Sequence, residues 1–157
     1  MDSTLTRIDT AQVDQGLFLA HGRLEVWPQG GLLCYRAAGP FNLEMVGVLA
    51  RTLRRLEWAR PPCHVAVTWW ERSMLASPET LAAYEQLLRD SNERQDFPAP
   101  LSSLWLAGPE VEGHRLMRPR WEALYRAVGR PLEFCDSEAQ MLARARELLA
   151  AAGQPHA

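Results

Sequence analysis

The chain contains no lysine, and all 17 of its basic residues are arginine. That absence excludes a Schiff-base lysine, a Walker lysine and a general-base lysine from this polypeptide. No run approaches the roughly 20 consecutive apolar residues of a membrane-spanning helix, so no membrane span is expected. There is no basic tail, and the formal net charge of −2 offers no long-range attraction to nucleic acid. The stretch from Met1 to Gly16 carries Asp2, Asp9 and Asp14 and lacks the basic and apolar regions of a signal peptide. Cys34, Cys63 and Cys135 have no C-x-x-C spacing. Reduced thiols in a cytoplasmic protein are the expectation. His21, His64, His114 and His156 fall in neither H-x-x-x-H nor H-E-x-x-H spacing, so no metal and no cofactor are expected.

What is present is the alternation of strand-like and helix-like runs. Arg23 to Trp27 alternates in strand fashion, Pro28-Gln29-Gly30-Gly31 is a turn signal, and Leu32 to Ala38 returns as a second strand. Gly39-Pro40-Phe41-Asn42 then makes a strand-to-helix corner, with Asn42 suited to cap the first turn. The helix over Leu43 to Trp58 places Met45, Val46, Leu49, Leu53 and Leu56 on one face. His64 to Trp70 reads as a central strand, and Ser77-Pro78 opens a second helix with Leu81, Tyr84, Leu87 and Leu88 inward. Leu101 to Ala107 is a further strand, and Pro119 to Val128 forms the body of a third helix. Leu132 to Cys135 is a short last strand, and Ser137 with Gln140 makes a capping box for the final helix. The expected domain spans residues 20–152, after an amino-terminal segment, 1–19, and before a frayed tail, 153–157. Its class is α/β: a mixed sheet with an amino-terminal β-hairpin, parallel crossovers and about four helices.

Three local features accompany this order: the Gly39-Pro40-Phe41-Asn42 corner, the Glu112-Gly113-His114 turn with Leu116-Met117 after it, and the Phe134-Cys135-Asp136-Ser137 entry to the last helix. Together they resemble the STAS-like fold of anti-sigma-factor antagonists. More narrowly the chain is similar to the bacterial SpoIIAA-like (STAS/SEC14-type) small proteins. The resemblance implies a regulatory, protein-interaction domain without enzymatic activity, acting on a protein partner. In phosphorylatable members the loop after the third strand carries an Asp-x-Ser-Gly motif whose serine takes phosphate. The loop here, Glu71 to Pro78, has serines but neither Asp-x-Ser nor glycine, so only position transfers to Ser73 and Ser77.

Candidate site residues follow from placement. Ser73 lies in a loop at the carboxyl end of a central strand, with Arg72 beside it to pair with a phosphate. Ser77 is explained by helix capping. Trp69 and Trp70 point to opposite faces, one into the core and the other under a helix or into a groove near the corner at Phe41 and Asn42. His114 sits on a corner loop without a visible catalytic partner, and no catalytic residue is assigned. Arg115, Arg118 and Arg120 cluster as a candidate patch for an acidic partner. The wealth of tryptophan, with Trp105 and Trp121 besides, supports an alternative in the manner of SEC14-like proteins: binding of an apolar small molecule or lipid. A homodimer through an exposed hairpin edge is a further expectation.

Overall fold

The computed structural model describes residues 7–13, 16, 18–94 and 98–153. About half of the amino-terminal segment, and the tail from residue 154 onward with His156, therefore lie outside the described residues, as do residues 95–97. The fold is α/β, with strands β1 (Ile8–Asp9), β2 (Arg23–Gln29), β3 (Leu32–Ala38), β4 (Val65–Glu71), β5 (Ser103–Leu106) and β6 (Leu132–Cys135). Helices α1 (Leu43–Arg55), α2 (Pro78–Glu93), α3 (His114–Ala127) and α4 (Glu138–Ala151) follow β3, β4, β5 and β6 in turn.

The strands form one mixed sheet in the order β1-β2-β3-β4-β5-β6. The pairs β1–β2 and β2–β3 are antiparallel; β3–β4, β4–β5 and β5–β6 are parallel. Strand order never reverses, so successive crossovers of one hand lay α1, α2 and α3 on the same face. The sheet alternates accordingly. Ala37 on β3, Trp70 on β4 and Trp105 on β5 pack with side chains of those three helices. Cys34, Val67 and Leu104 face the other way, against Met141, Ala145 and Leu149 of α4.

Local sequence chemistry sets the boundaries. The hairpin turn is tighter than Pro28 to Gly31 suggests: Pro28 stays inside β2 opposite Leu33, and Gly30 takes the positive φ of 57°. Proline is tolerated there because β1 reaches only Val26 and Glu25, leaving position 28 unpaired on the side away from β3. Helix α1 ends at Arg55, short of Trp58, and α3 begins at His114, ahead of Pro119. Pro119 is exposed in the second turn of α3, where the carbonyl of Arg115 that its ring deprives of a donor can turn to water. Ser77 caps α2 by accepting from the amide of Thr80, and Ser137 caps α4 by accepting from that of Gln140. The Gln140 side chain reaches back to the amide of Asp136 rather than to that of Ser137. No helix among the described residues is long and apolar enough to cross a membrane.

Candidate functional site

Between the sheet and the three helices on its first face lies a pocket of about 120 Å³. Its existence follows from residue size. At the centre of that face the inward positions are Ala37, Ala66, Thr68 and Ser103, which are too small to fill the space beneath α1 and α2. Tryptophans wall its deeper end. The rings of Trp70 and Trp105 are 5.0 Å apart, and Trp121 of α3 lies 5.8 Å from the first and 5.5 Å from the second. Phe41 of the corner completes this wall with an edge contact to Trp70 at 5.7 Å.

The opposite end, toward the amino termini of β4 and β5, is more polar. Tyr35 of β3, Tyr84 of α2, Tyr125 of α3, His64, Ser103 and Arg130 line it. The hydroxyls of Tyr84 and Tyr125 share a 2.7 Å hydrogen bond. Burial pushes all three phenols above their ordinary range. His64 is buried edge-on to Trp58, and burial together with the Arg60 and Arg130 guanidiniums depresses its pKa to about 4. The imidazole is therefore neutral at pH 7. Arg130 is fixed by its backbone amide, which donates to the Tyr125 carbonyl at 2.9 Å, and by Nε, which donates to Asn92 Oδ1 at 2.8 Å. Its Nη2 is buried without a hydrogen-bond acceptor, as is Nε1 of Trp70. Among the described residues no Asp, Glu or Cys lines the pocket.

The residues singled out from sequence divide between this pocket and the carboxyl edge of the sheet. Trp70 and Phe41 belong to the pocket wall. Trp69 points to the opposite face, where it stacks on Trp27 with ring centroids 5.9 Å apart. Asn42 is a clip: Oδ1 accepts from the amides of Met45 and His21, while Nδ2 donates to the Leu19 carbonyl.

Ser73 does lie beyond the carboxyl end of β4, but its hydroxyl is no solvated loop group. The residue is only 3% exposed, and Oγ donates to Glu112 Oε1 at 3.0 Å while accepting from the Leu75 amide. A phosphate on that oxygen would meet the Glu112 carboxylate. Arg72 is exposed at φ 62°, a left-handed conformation that costs a non-glycine residue about 1–2 kcal/mol. It does not pair with Ser73; its carbonyl accepts from the Glu112 amide at 2.8 Å. Ser77 is occupied as the α2 cap and by Thr80 Oγ1 at 2.8 Å. His114 directs Nδ1 to the Val111 carbonyl at 3.1 Å. In the arginine patch Arg118 pairs with Glu122 and lies over the Phe134 ring.

Cys34 is buried, with its thiol pushed up to about 12 by burial, whereas Cys63 and Cys135 are half-buried and Cys63 precedes β4. Among the described residues no group of three or more His, Cys, Asp or Glu side chains is placed to hold a metal ion.

Arg130, Tyr35 and Ser103 carry no sequence motif. Small residues at successive inward positions of neighbouring strands point toward Ser103, and Tyr84 and Tyr125 on otherwise apolar helix faces point toward the polar end, whereas nothing in the sequence singles out Arg130 or Tyr35. Comparisons with protein-family models, with curated proteins and with solved structures found no match.

Proposed function

We propose that this domain is a non-enzymatic binder of a small, largely apolar molecule, taken up between the sheet and helices α1, α2 and α3. The observation that carries this reading is the pocket itself, about 120 Å³ walled by tryptophan in the middle of the core. Close-packed interiors rarely leave such a space. An apolar cavity of about 150 Å³ takes up benzene, so in this slightly smaller pocket a single ring is the upper scale for the buried part of a ligand. A lining without carboxylates or thiols among the described residues, and a His64 whose pKa of about 4 makes it a weak base, support binding without turnover.

The test is titration of the purified protein with 2-phenylethanol, followed by tryptophan fluorescence. A saturable change, abolished in Ala66→Leu, which fills the pocket from β4, is expected. A response that is linear in concentration and indifferent to Ala66→Leu would overturn the reading.

A second reading is favoured by a different observation. Phe18 and Leu19 are 66% and 72% exposed, Leu43 is 49% exposed, and Asn42 holds Leu19 beside the corner. Exposed apolar side chains grouped at one corner suit a protein partner, as the resemblance to STAS-like regulatory domains implies. A second copy of the chain is one such partner, although the hairpin edge is blunted by β1 and by Pro28. Sedimentation of the wild type against Leu19→Asp with Leu43→Asp tests self-association. Recovery of the same host protein by the wild type and not by the variant tests a different partner.

A further inference from the structure

We propose that the molecule held in the pocket is a small amphipathic acid, with its carboxylate on Arg130 and its apolar body against the tryptophan wall. This inference rests on the proposed binding function and adds the chemistry of the ligand's head.

The polar end of the pocket carries a half-buried guanidinium, and no carboxylate among the described residues lines the pocket to balance it. Buried polar groups in native proteins are nearly always paired, and a guanidinium N–H without an acceptor is more costly than a neutral one. Arg130 Nη2 is buried without such an acceptor, even though Nε of the same side chain is held by Asn92. That bond, and the one from the Arg130 amide to Tyr125, fix the guanidinium at the polar end of the pocket. Arg130 forms no ion pair among the described residues.

Among the described residues the surroundings supply no anion either. The Tyr84 and Tyr125 hydroxyls are engaged with each other and remain protonated, and His64 is neutral. The charges that act on Tyr35, Tyr84, Tyr125 and His64 from the pocket rim include the Arg130 and Arg60 guanidiniums and no carboxylate. A pocket with a fixed cation at one end, no anion among the described residues, and indole rings at the other is complementary to a molecule with one negative group and a ring-sized apolar body. The Trp70 indole N–H, the second donor without an acceptor, adds to the excess of donors over acceptors.

Phenylacetate and 2-phenylethanol serve as matched probes, because they share the ring and differ in the charge of the head. Calorimetric titration of the wild type is expected to give phenylacetate at least a tenfold lower Kd, as a charge-assisted hydrogen bond allows. In Arg130→Gln the acid is expected to weaken tenfold or more, and the gap between the two probes to close. Saturable binding of the alcohol with equal or weaker binding of the acid would overturn the inference while leaving the pocket function standing. A preference for the acid that survives in Arg130→Gln would overturn it too. Failure of both probes to bind would remove the binding function and this inference together. Arginine side-chain NMR on the wild type decides the matter even if Arg130→Gln does not fold. A guanidinium shift at Arg130 with phenylacetate and not with 2-phenylethanol supports the assignment, and no shift with either refutes it.

Discussion

The hydroxyl oxygens of Tyr84 and Tyr125 lie 2.7 Å apart and join α2 to α3 at the rim of the pocket. Each ring also packs on tryptophan: Tyr84 on Trp121 at 5.7 Å, and Tyr125 on Trp105 at 5.3 Å. The polar pair is thus embedded in the same aromatic cluster that walls the pocket, and its two oxygens satisfy each other where water is scarce.

This arrangement predicts a non-additive response. Tyr125→Phe or Tyr84→Phe alone removes one partner and strands the other, at about 1–2 kcal/mol of stability. Removing both hydroxyls leaves no orphan, so the double variant is expected to be closer to the wild type than the sum of the singles. Urea unfolding of the four proteins measures the coupling. Simple additivity would mean that the bond contributes nothing specific.

Asn42 offers a second test, because one side chain serves three purposes. It caps α1 through Met45, accepts from the His21 amide at 2.8 Å and donates to the Leu19 carbonyl at 3.1 Å. Asn42→Ala should cost about 1–2 kcal/mol, the usual value of a cap with a further bond. Asn42→Ser should recover the cap and not the clip. Hydrogen exchange separates the two roles: the His21 amide should exchange faster in both variants, and the Met45 amide only in Asn42→Ala.

These two sites mark what sequence could reveal. The Asn42 cap was legible because it depends on neighbours three residues apart and on a residue type chosen for backbone geometry. The order from β2 to α4 was legible for the same reason, since alternation and helical spacing are local, whereas β1, two residues long and inside the segment expected to precede the domain, was not. The bonds from Asn42 to residues 19–21 were not legible, because they join segments about twenty positions apart and leave no periodic trace. The burial of Ser73 was hidden likewise: only the approach of the 111–113 segment, with Glu112 on the Ser73 hydroxyl, removes it from solvent. The pocket is a sum of small choices at Ala37, Ala66, Thr68 and Ser103, each ordinary until the strand register brings them under one pair of helices.

Gly39 sits where two backbones meet without room for a side chain. A Cβ built there would collide with the Ser73 carbonyl oxygen, which itself accepts from the Gly39 amide at 3.0 Å. Neither backbone can retreat, because Phe41 bonds to Leu75 on one side and Met74 to Glu112 on the other. Gly39→Ala should therefore destabilise by about 1–3 kcal/mol, the range of an overpacked core. Gly129→Ala, at a position with nothing within 4 Å, isolates the cost of a positive φ without a clash. Thermal unfolding of the two variants should rank Gly39→Ala as the more damaging.

His64 gives the pH dependence its sign. Burial beside Trp58, with Arg60 and Arg130 adding repulsion, holds its pKa at about 4, below the ordinary 6.5. Above pH 6.5 the ring is neutral in both folded and unfolded chains, and the full stability is present. As pH falls from 6.5 toward 4 the unfolded chain takes up a proton that the folded one refuses, so stability declines across that window, by about 3 kcal/mol in total. Below pH 4 both states are protonated and this contribution has been lost. His64→Gln, which cannot titrate, should flatten the curve between pH 6.5 and 4 whatever its absolute stability. Urea midpoints for both proteins at pH 7, 5.5 and 4 measure the difference. Parallel curves would mean that His64 titrates alike in the folded and unfolded chains, and the polar end of the pocket would then gain a second cation beside Arg130 only below about pH 6.5.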